Sequence, residues 1–136
     1  MATPDHPDFK PDMKPDLMGN LIESFPEQMR EATGMLKALS LPRWADIRNV
    51  VVTGMGGSAI GGDLVRAAVS ECLRLPLVVN RDSVLPEFTD PHTLVIASSY
   101  SGDTEETLQA YDEARRRGAA IVCITSGGRL ARRAAG

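Results

Sequence analysis

The stretch VVVTGMGGSAIGGD, residues 50–63, decides the fold because it joins an apolar run to a glycine-rich turn. The three valines at its start are typical of a strand that is buried on both faces. Five glycines follow within ten residues, and they lead into a segment with helical periodicity. A strand, a glycine turn and a helix in this order let an anion approach the backbone N–H groups closely.

The rest of the chain repeats this alternation of short apolar runs and helical segments. The pattern predicts strands at 47–54, 75–82, 93–102 and 119–128, and helices at 58–73, 103–118 and from 129 onward. Apolar strands spaced by helices favour parallel pairing, so we predict an α/β fold, a doubly wound parallel sheet flanked by helices. Four strands are few for this architecture, and the last helix has nothing downstream to pack against. We therefore expect the domain to be incomplete at its C-terminus.

The N-terminal segment differs in composition from the rest. Residues 1–16 repeat Pro-Asp and Lys-Pro pairs with few apolar side chains, so we predict a flexible arm that cannot offset its ordering entropy by burial. The domain is predicted to span residues 17–136. It opens with helical periodicity from Leu17 to Leu39, which Pro26 should kink or split.

Composition and charge exclude some classes of partner. The chain has 136 residues, 43% of them hydrophobic, and a net charge of −3, which gives no basic face for nucleic acid. The sequence predicts neither a signal peptide nor a membrane span, because it lacks a long apolar run, so we expect a cytoplasmic protein without a membrane partner. Cys72 and Cys123 lack metal or redox spacing and are interpreted as small core residues.

One interpretation of the glycine turn is a dinucleotide-binding site. Gly54, Gly56 and Ala59 have the G-x-G-x-x-A spacing after a strand. Asp82, near the end of the second predicted strand, would then meet a ribose hydroxyl. This expression is short, and it leaves Ser58 unexplained.

Two other interpretations are an ATP-binding loop and simple packing. The ATP motif requires Lys-Ser/Thr where this chain has Gly62 and Asp63. In the packing interpretation the glycines only let the helix approach the sheet, which would account for Gly61 and Gly62 inside the predicted helix. It does not account for Ser58 at the helix start.

A second polar turn, SSYSGDTEET at residues 98–107, favours a phosphate site. Four hydroxyls, those of Ser98, Ser99, Ser101 and Thr104, fall between a strand end and a helix start. Hydroxyls and free helix N–H groups without a fixed positive charge suit reversible binding of a phosphate monoester. The alternative is that Ser101 or Asp103 only caps the helix. Tyr100 alternates with the serines and is interpreted as a packing residue.

These motifs together resemble the sugar isomerase (SIS) domain. GMGGSA at 54–59, SYSGDTEET at 99–107 and CITSGGRLARRA at 123–134 are similar, within that family, to segments of the bifunctional phosphoglucose/phosphomannose isomerases. The resemblance implies a five-stranded parallel sheet, two such domains per chain and a homodimer. It also implies that the sugar phosphate is held by the side chains of Ser58, Ser99, Ser101 and Thr104 and the backbone of Gly56 and Gly57.

The family reaction implied is the interconversion of glucose 6-phosphate or mannose 6-phosphate with fructose 6-phosphate through an enediol, without metal or cofactor. The resemblance places the general base, a histidine and a lysine beyond this segment, so we expect no catalytic residue in the chain. His92 is predicted at the opposite end of its strand, Glu105 at a helix start and Asp63 in a local hydrogen bond. We predict sugar-phosphate binding without turnover. A stand-alone sugar-phosphate sensor is the alternative.

Overall fold

Residues 17–135 are described by the computed structural model, and they divide after Pro42 into two units. The predicted flexible arm lies outside the described residues. In the first unit, helix α1 spans Leu17–Glu23 and helix α2 spans Phe25–Ala38. Pro26 is the second residue of α2, where a missing N–H does not interrupt a helical hydrogen bond. The predicted split at this proline is confirmed.

The second unit contains the sheet and three helices. Its elements are β1 (Asn49–Thr53), α3 (Gly56–Ala68), β2 (Leu77–Asn80), β3 (Thr93–Ser98), α4 (Glu105–Arg116), β4 (Ala120–Ile124) and α5 (Gly128–Ala134). The four strands are all parallel and lie in the order β2-β1-β3-β4. The predicted doubly wound parallel sheet flanked by helices is confirmed, although the elements end sooner than the sequence pattern suggested.

The two faces of the sheet are covered by different helices. Helix α3 lies on the face that carries Val52 and Val79, because Gly62 approaches both valines closely. Helix α4 covers the opposite face, where Val51, Val95 and Ala114 form a core with no exposed surface. On the α3 side of β4, Ile124 is 58% exposed, so that part of the sheet is not covered by the described residues.

Helix α5 packs on the α4 side of the sheet. Leu130 is fully buried against Ala97, Leu108 and Tyr111, and the Tyr111 hydroxyl donates to the carbonyl of Arg133 at 2.8 Å. The sequence offers this helix no partner downstream, and the structure shows that it packs on residues that lie upstream.

The strand order creates a crevice between β1 and β3. The chain runs outward from β1 to β2, returns to β3 beside β1, and then runs outward to β4. At such a switch point the turns after the two central strands diverge to opposite faces, and open α/β sheets bind their ligands there. In this chain the glycine turn follows β1 and the serine-rich turn follows β3.

Candidate sugar-phosphate site

The glycine turn between β1 and α3 lies directly against the end of β3. A Cβ at Gly54 would be 2.7 Å from the carbonyl oxygen of Ser98, so only glycine permits this approach. Gly56 opens α3 with a φ of +50°, a conformation that favours glycine. No side chain caps the helix, and the Ser58 N–H donates to the Met55 carbonyl at 3.1 Å, so the N–H groups of Gly56 and Gly57 remain available.

The serine-rich turn between β3 and α4 is held by Ser99. This side chain is only 3% exposed, and its hydroxyl accepts a hydrogen bond from the N–H of Gly102 at 3.1 Å. The Ser99 hydroxyl also lies 2.9 Å from that of Thr104, the residue that precedes α4. These bonds draw both ends of the turn together.

The interpretation that the hydroxyls only cap α4 is wrong. Thr104 is the N-cap residue, and it makes no side-chain cap hydrogen bond. Ser101 accepts instead from the N–H of Asp103 at 3.2 Å, within the turn. The first N–H groups of α4 therefore have no side-chain cap and, like those of Gly56 and Gly57 in α3, are free to meet an anion.

The turn between β4 and α5 fastens the serine-rich turn from the other side. The N–H and hydroxyl of Ser126 both donate to the carbonyl of Tyr100, at 3.1 and 2.5 Å. A Cβ on Gly102 would lie 1.9 Å from the carbonyl oxygen of Gly127, so these backbones touch directly. Because Gly102 also has a φ of +70°, this contact requires glycine.

Arg129 forms ion pairs that link the start of α5 to the serine-rich turn. The Arg129 guanidinium lies 3.1 Å from a carboxylate oxygen of Asp103 and 3.2 Å from Glu105. The backbone N–H of Arg129 also donates to Asp103, and this bond, followed by the guanidinium bond, holds the pKa of Asp103 below its ordinary value. The positive charge of Arg129 is therefore already paired with carboxylates.

Two of the cavities that open at the crevice are lined by Tyr100. The larger, which we call the polar cavity, has a volume of about 540 Å³ and is lined by Met55, Gly57, Ser58, Tyr100, Ser101 and Thr104. The smaller, the lateral cavity, has a volume of about 350 Å³ and is lined by Ser58, Ser98, Tyr100, Ile124, Thr125 and Ser126. Neither set of lining residues contains a charged side chain. An anion there would be held by hydroxyls and by the N-termini of α3 and α4.

Four of the predicted site residues meet in the polar cavity: Gly57, Ser58, Ser101 and Thr104. Ser99 lies beneath the cavity, and Gly56 lies at the start of α3. The structure adds Met55, Ile124, Thr125 and Ser126, which the sequence analysis did not include among the site residues. The polar sequence TSGG at residues 125–128 could have indicated Thr125 and Ser126.

The interpretation of Tyr100 as a packing residue is wrong. Its side chain is 84% exposed and lines both cavities. Strand β3 ends at Ser98, so the alternation of buried and exposed side chains does not extend to this position.

The glycines of α3 divide into two groups. A Cβ on Gly62 would meet Val52 at 3.0 Å, as the packing interpretation predicts. A Cβ on Gly57 or Gly61 would meet no atom within 4 Å, so packing does not explain these glycines. At Gly57 the empty space belongs to the polar cavity.

The possible acid–base residues are engaged elsewhere. Asp63 pairs with Arg66 at 3.5 Å and with Arg81, which confirms its predicted local role. His92 precedes β3 at the opposite end of the sheet, where its Nδ1 lies 3.1 Å from the Asp46 carboxylate. Glu105 pairs with Arg129, as described above.

Asp82 is the candidate ribose contact of the dinucleotide interpretation. Its carboxylate accepts hydrogen bonds from its own loop. One carboxylate oxygen accepts from the Ser83 hydroxyl at 3.2 Å and from the Val84 N–H at 3.4 Å. This loop follows β2, at the edge of the sheet, so Asp82 is not among the residues that line the two cavities.

Two other kinds of functional feature are absent from residues 17–135. This part of the chain holds no group of three or more metal-ligating side chains placed to bind an ion. None of its helices is both long enough and apolar enough to cross a membrane.

Comparison with known proteins identifies the domain. The SIS domain family matches residues 45–135. The chain belongs to the SIS domain family. The match covers both the glycine turn and the serine-rich turn, so the family assignment rests on the segments that build the crevice.

Relatives and solved structures agree with this assignment. The chain is 53% identical over 110 residues to a bifunctional phosphoglucose/phosphomannose isomerase from Caldicellulosiruptor bescii, with 80% of this chain and 32% of the relative covered. It is 36% identical over 97 residues to a glutamine–fructose-6-phosphate aminotransferase from Corynebacterium glutamicum, with 65% and 15% covered. A Clostridium difficile protein solved as a candidate phosphosugar isomerase superposes with a TM-score of 0.71 at 22% identity, covering 82% of this chain and 33% of that protein.

The chain spans about a third of the length of the bifunctional isomerases that it matches. The SIS domain described above therefore corresponds to one part of those proteins.

Proposed function

We propose that this chain is the sugar-phosphate-binding part of an aldose–ketose isomerase that interconverts glucose 6-phosphate or mannose 6-phosphate with fructose 6-phosphate. The observation that carries the proposal is the polar cavity. Two uncapped helix N-termini and the hydroxyls of Ser58, Ser101 and Thr104 meet there without a charged side chain. Such a site neutralises a phosphate monoester by dipoles and hydrogen bonds and releases it readily.

The relatives support sugar phosphate as the ligand class. The bifunctional isomerase and the aminotransferase carry different reaction names, but both names include a hexose phosphate or its isomerisation. The segment shared with the bifunctional isomerase covers 80% of this chain and therefore contains the two turns of the crevice. Binding of the phosphorylated sugar is the function that a part common to both proteins would perform.

In this proposal, residues outside this chain carry out the proton transfer. Isomerisation moves a proton between C1 and C2 of the open-chain sugar, which requires a general base within hydrogen-bond reach of the carbon. The residues that line the two cavities include no carboxylate, histidine or lysine. We therefore propose that the chain binds hexose phosphates without turnover, and that Ser58, Ser101, Thr104 and the backbone of Gly56 and Gly57 hold the phosphate while Ser99 supports them from below.

The proposal extends to the partners and the cellular location of the protein. We propose that the full-length protein is a cytoplasmic homodimer without nucleic-acid or membrane partners. The net charge of −3 supports the first of these exclusions.

A non-catalytic sugar-phosphate sensor is the second candidate. The residues that line the two cavities include no acid–base group, and this observation is compatible with both candidates. The two differ in whether residues outside the chain restore turnover, so they are separated by an isomerase assay on a longer protein that includes this segment.

Thermal unfolding of the 136-residue chain tests the binding proposal. At ten times its Kd a ligand adds about 1.4 kcal/mol to the free energy of unfolding, which raises Tm by several degrees. Glucose 6-phosphate and fructose 6-phosphate should produce this shift, whereas unphosphorylated glucose and NAD should not. Ser101→Ala should lose the shift and unfold at the wild-type temperature without ligand, because Ser101 is exposed. A shift with NAD alone would contradict the proposal.

A further inference from the structure

Tyr100 is an exposed aromatic residue at the boundary between the two cavities. Tyr100 and Ser58 are the two residues that line both. The tyrosine ring is 84% exposed, so burial within residues 17–135 does not explain it. A large apolar surface left open beside a polar cavity is a feature of binding sites.

The backbone beneath this ring is held firmly. The carbonyl of Tyr100 accepts two hydrogen bonds from Ser126, and the N–H of Ser99 donates to the carbonyl of Ile124 at 3.0 Å. Gly102 is fixed against Gly127 on the other side. The ring therefore projects from an ordered turn, and a ligand that contacts it does not have to order the backbone first.

Two of the four serine and threonine hydroxyls that line the lateral cavity, those of Thr125 and Ser126, are already engaged within the protein. The Ser126 hydroxyl is bonded to the Tyr100 carbonyl. The Thr125 hydroxyl donates to the carbonyl of Gly127 at 2.9 Å and accepts from its N–H at 3.2 Å. The remaining surface of this cavity comes from Ser58 and Ser98 and from the largely apolar side chains of Tyr100 and Ile124.

We infer that Tyr100 is a specificity-determining residue, whose ring contacts the carbon chain of a phosphate ester while the phosphate lies in the polar cavity. The inference rests on the proposed function, which supplies the position of the phosphate. An ester anchored there must extend past Ser58 and Tyr100 to reach the lateral cavity. The negative face of the ring attracts the polarised C–H groups of a sugar, and the same face gives nothing to inorganic phosphate.

The test compares two probes on the 136-residue chain, glucose 6-phosphate and inorganic phosphate. Their affinities are measured by following backbone amide shifts during titration of the ¹⁵N-labelled protein. Tyr100→Ala should weaken glucose 6-phosphate about 3- to 10-fold, the range expected for losing one aromatic contact, and leave inorganic phosphate unchanged. Tyr100→Phe should bind both probes as the wild type does, since the ring and not the hydroxyl makes the contact.

Phe88→Ala is the matched control, because Phe88 is an exposed aromatic residue that lines neither cavity. It should leave both affinities unchanged. The inference is overturned if Tyr100→Ala leaves the affinity for glucose 6-phosphate unchanged, or weakens both probes equally through a change in the turn. If the wild-type chain binds neither probe, the proposed function fails and the inference fails with it.

Discussion

The hydroxyl oxygens of Ser99 and Thr104 lie 2.9 Å apart, on the two sides of the turn that joins β3 to α4. Ser99 is almost fully buried, and its hydroxyl also accepts from the Gly102 N–H. The contact between these two hydroxyls fixes the width of the turn. It thereby determines the positions of Tyr100 and Ser101. One serine-rich turn thus contains both a buried supporting residue and residues that line a cavity.

Replacing Ser99 by alanine should lower the free energy of unfolding by about 0.5–1.5 kcal/mol, the net value of a hydrogen bond. The loss arises because Thr104 loses its hydroxyl partner, whereas the Gly102 N–H keeps its bond to the Ser99 carbonyl at 3.1 Å. Urea unfolding at neutral pH measures the change. Ser101→Ala is the control, and because Ser101 is exposed it should change stability by less than about 0.5 kcal/mol. Equal stability of Ser99→Ala and the wild type would contradict the supporting role.

Gly61 and Gly62 are adjacent in α3 and should respond in opposite directions to alanine. A Cβ at Gly61 enters open space, so Gly61→Ala should raise the free energy of unfolding by about 0.5–1 kcal/mol, the helix-propensity gain. A Cβ at Gly62 lies 3.0 Å from Val52 and 3.3 Å from Val79, so Gly62→Ala should lower it by about 1–3 kcal/mol. Each variant is the other's control in urea unfolding. If both substitutions stabilise, the described packing of α3 on the sheet is incorrect.

The Asp103–Arg129 ion pair should make part of the free energy of unfolding depend on pH. The backbone N–H and guanidinium of Arg129 hold the pKa of Asp103 below its ordinary value, so the folded protein favours the charged carboxylate. This contribution is complete above the pKa of an unfolded aspartate, about 3.9, and is lost as pH falls through the folded-state pKa.

Asp103→Asn should therefore be less stable than the wild type at pH 6, and the difference should shrink toward zero as the pH is lowered below 4. Urea unfolding across this range measures both proteins. A stability difference that stays constant with pH would show that the charge of Asp103 is not the source of the effect.

The two cysteines should differ in reactivity toward thiol reagents. Cys72 is exposed, whereas burial raises the pKa of the Cys123 thiol and reduces its thiolate fraction. At pH 8 iodoacetamide should alkylate Cys72 well before Cys123, as followed by mass spectrometry of the peptides. Cys72→Ser, which keeps Cys123 in place, should show only the slow reaction. Equal rates at the two positions would contradict the described burial of Cys123.

The sequence predicted the helices and strands well where the signal was local. Consecutive apolar residues such as Val50–Val52 marked the strands, and Pro26 marked the break between α1 and α2. Local patterns were less informative at element ends. Helix α3 ends at Ala68, not near residue 73, so Cys72 lies beyond it and is exposed, and its interpretation as a core residue is wrong.

The geometry of the site depended on contacts between turns that are distant in sequence. The exposure of Tyr100 follows from the early end of β3 and from two hydrogen bonds with Ser126, 26 residues away. The difference between Gly61 and Gly62 depends on which side of α3 faces Val52, a tertiary fact. Hydroxyl-rich turns could be recognised in the sequence, but the division of their residues between support and cavity could not.

The most direct test of the central claim is a map of backbone amide shifts in the ¹⁵N-labelled 136-residue chain titrated with glucose 6-phosphate. We predict saturable shifts concentrated at the start of α3, in the serine-rich turn at residues 99–105 and in the turn at 125–127, with Ser101→Ala removing most of them. Saturable shifts centred instead on the loop around Asp82, or no shifts at millimolar ligand, would contradict the assignment of this crevice as a sugar-phosphate site.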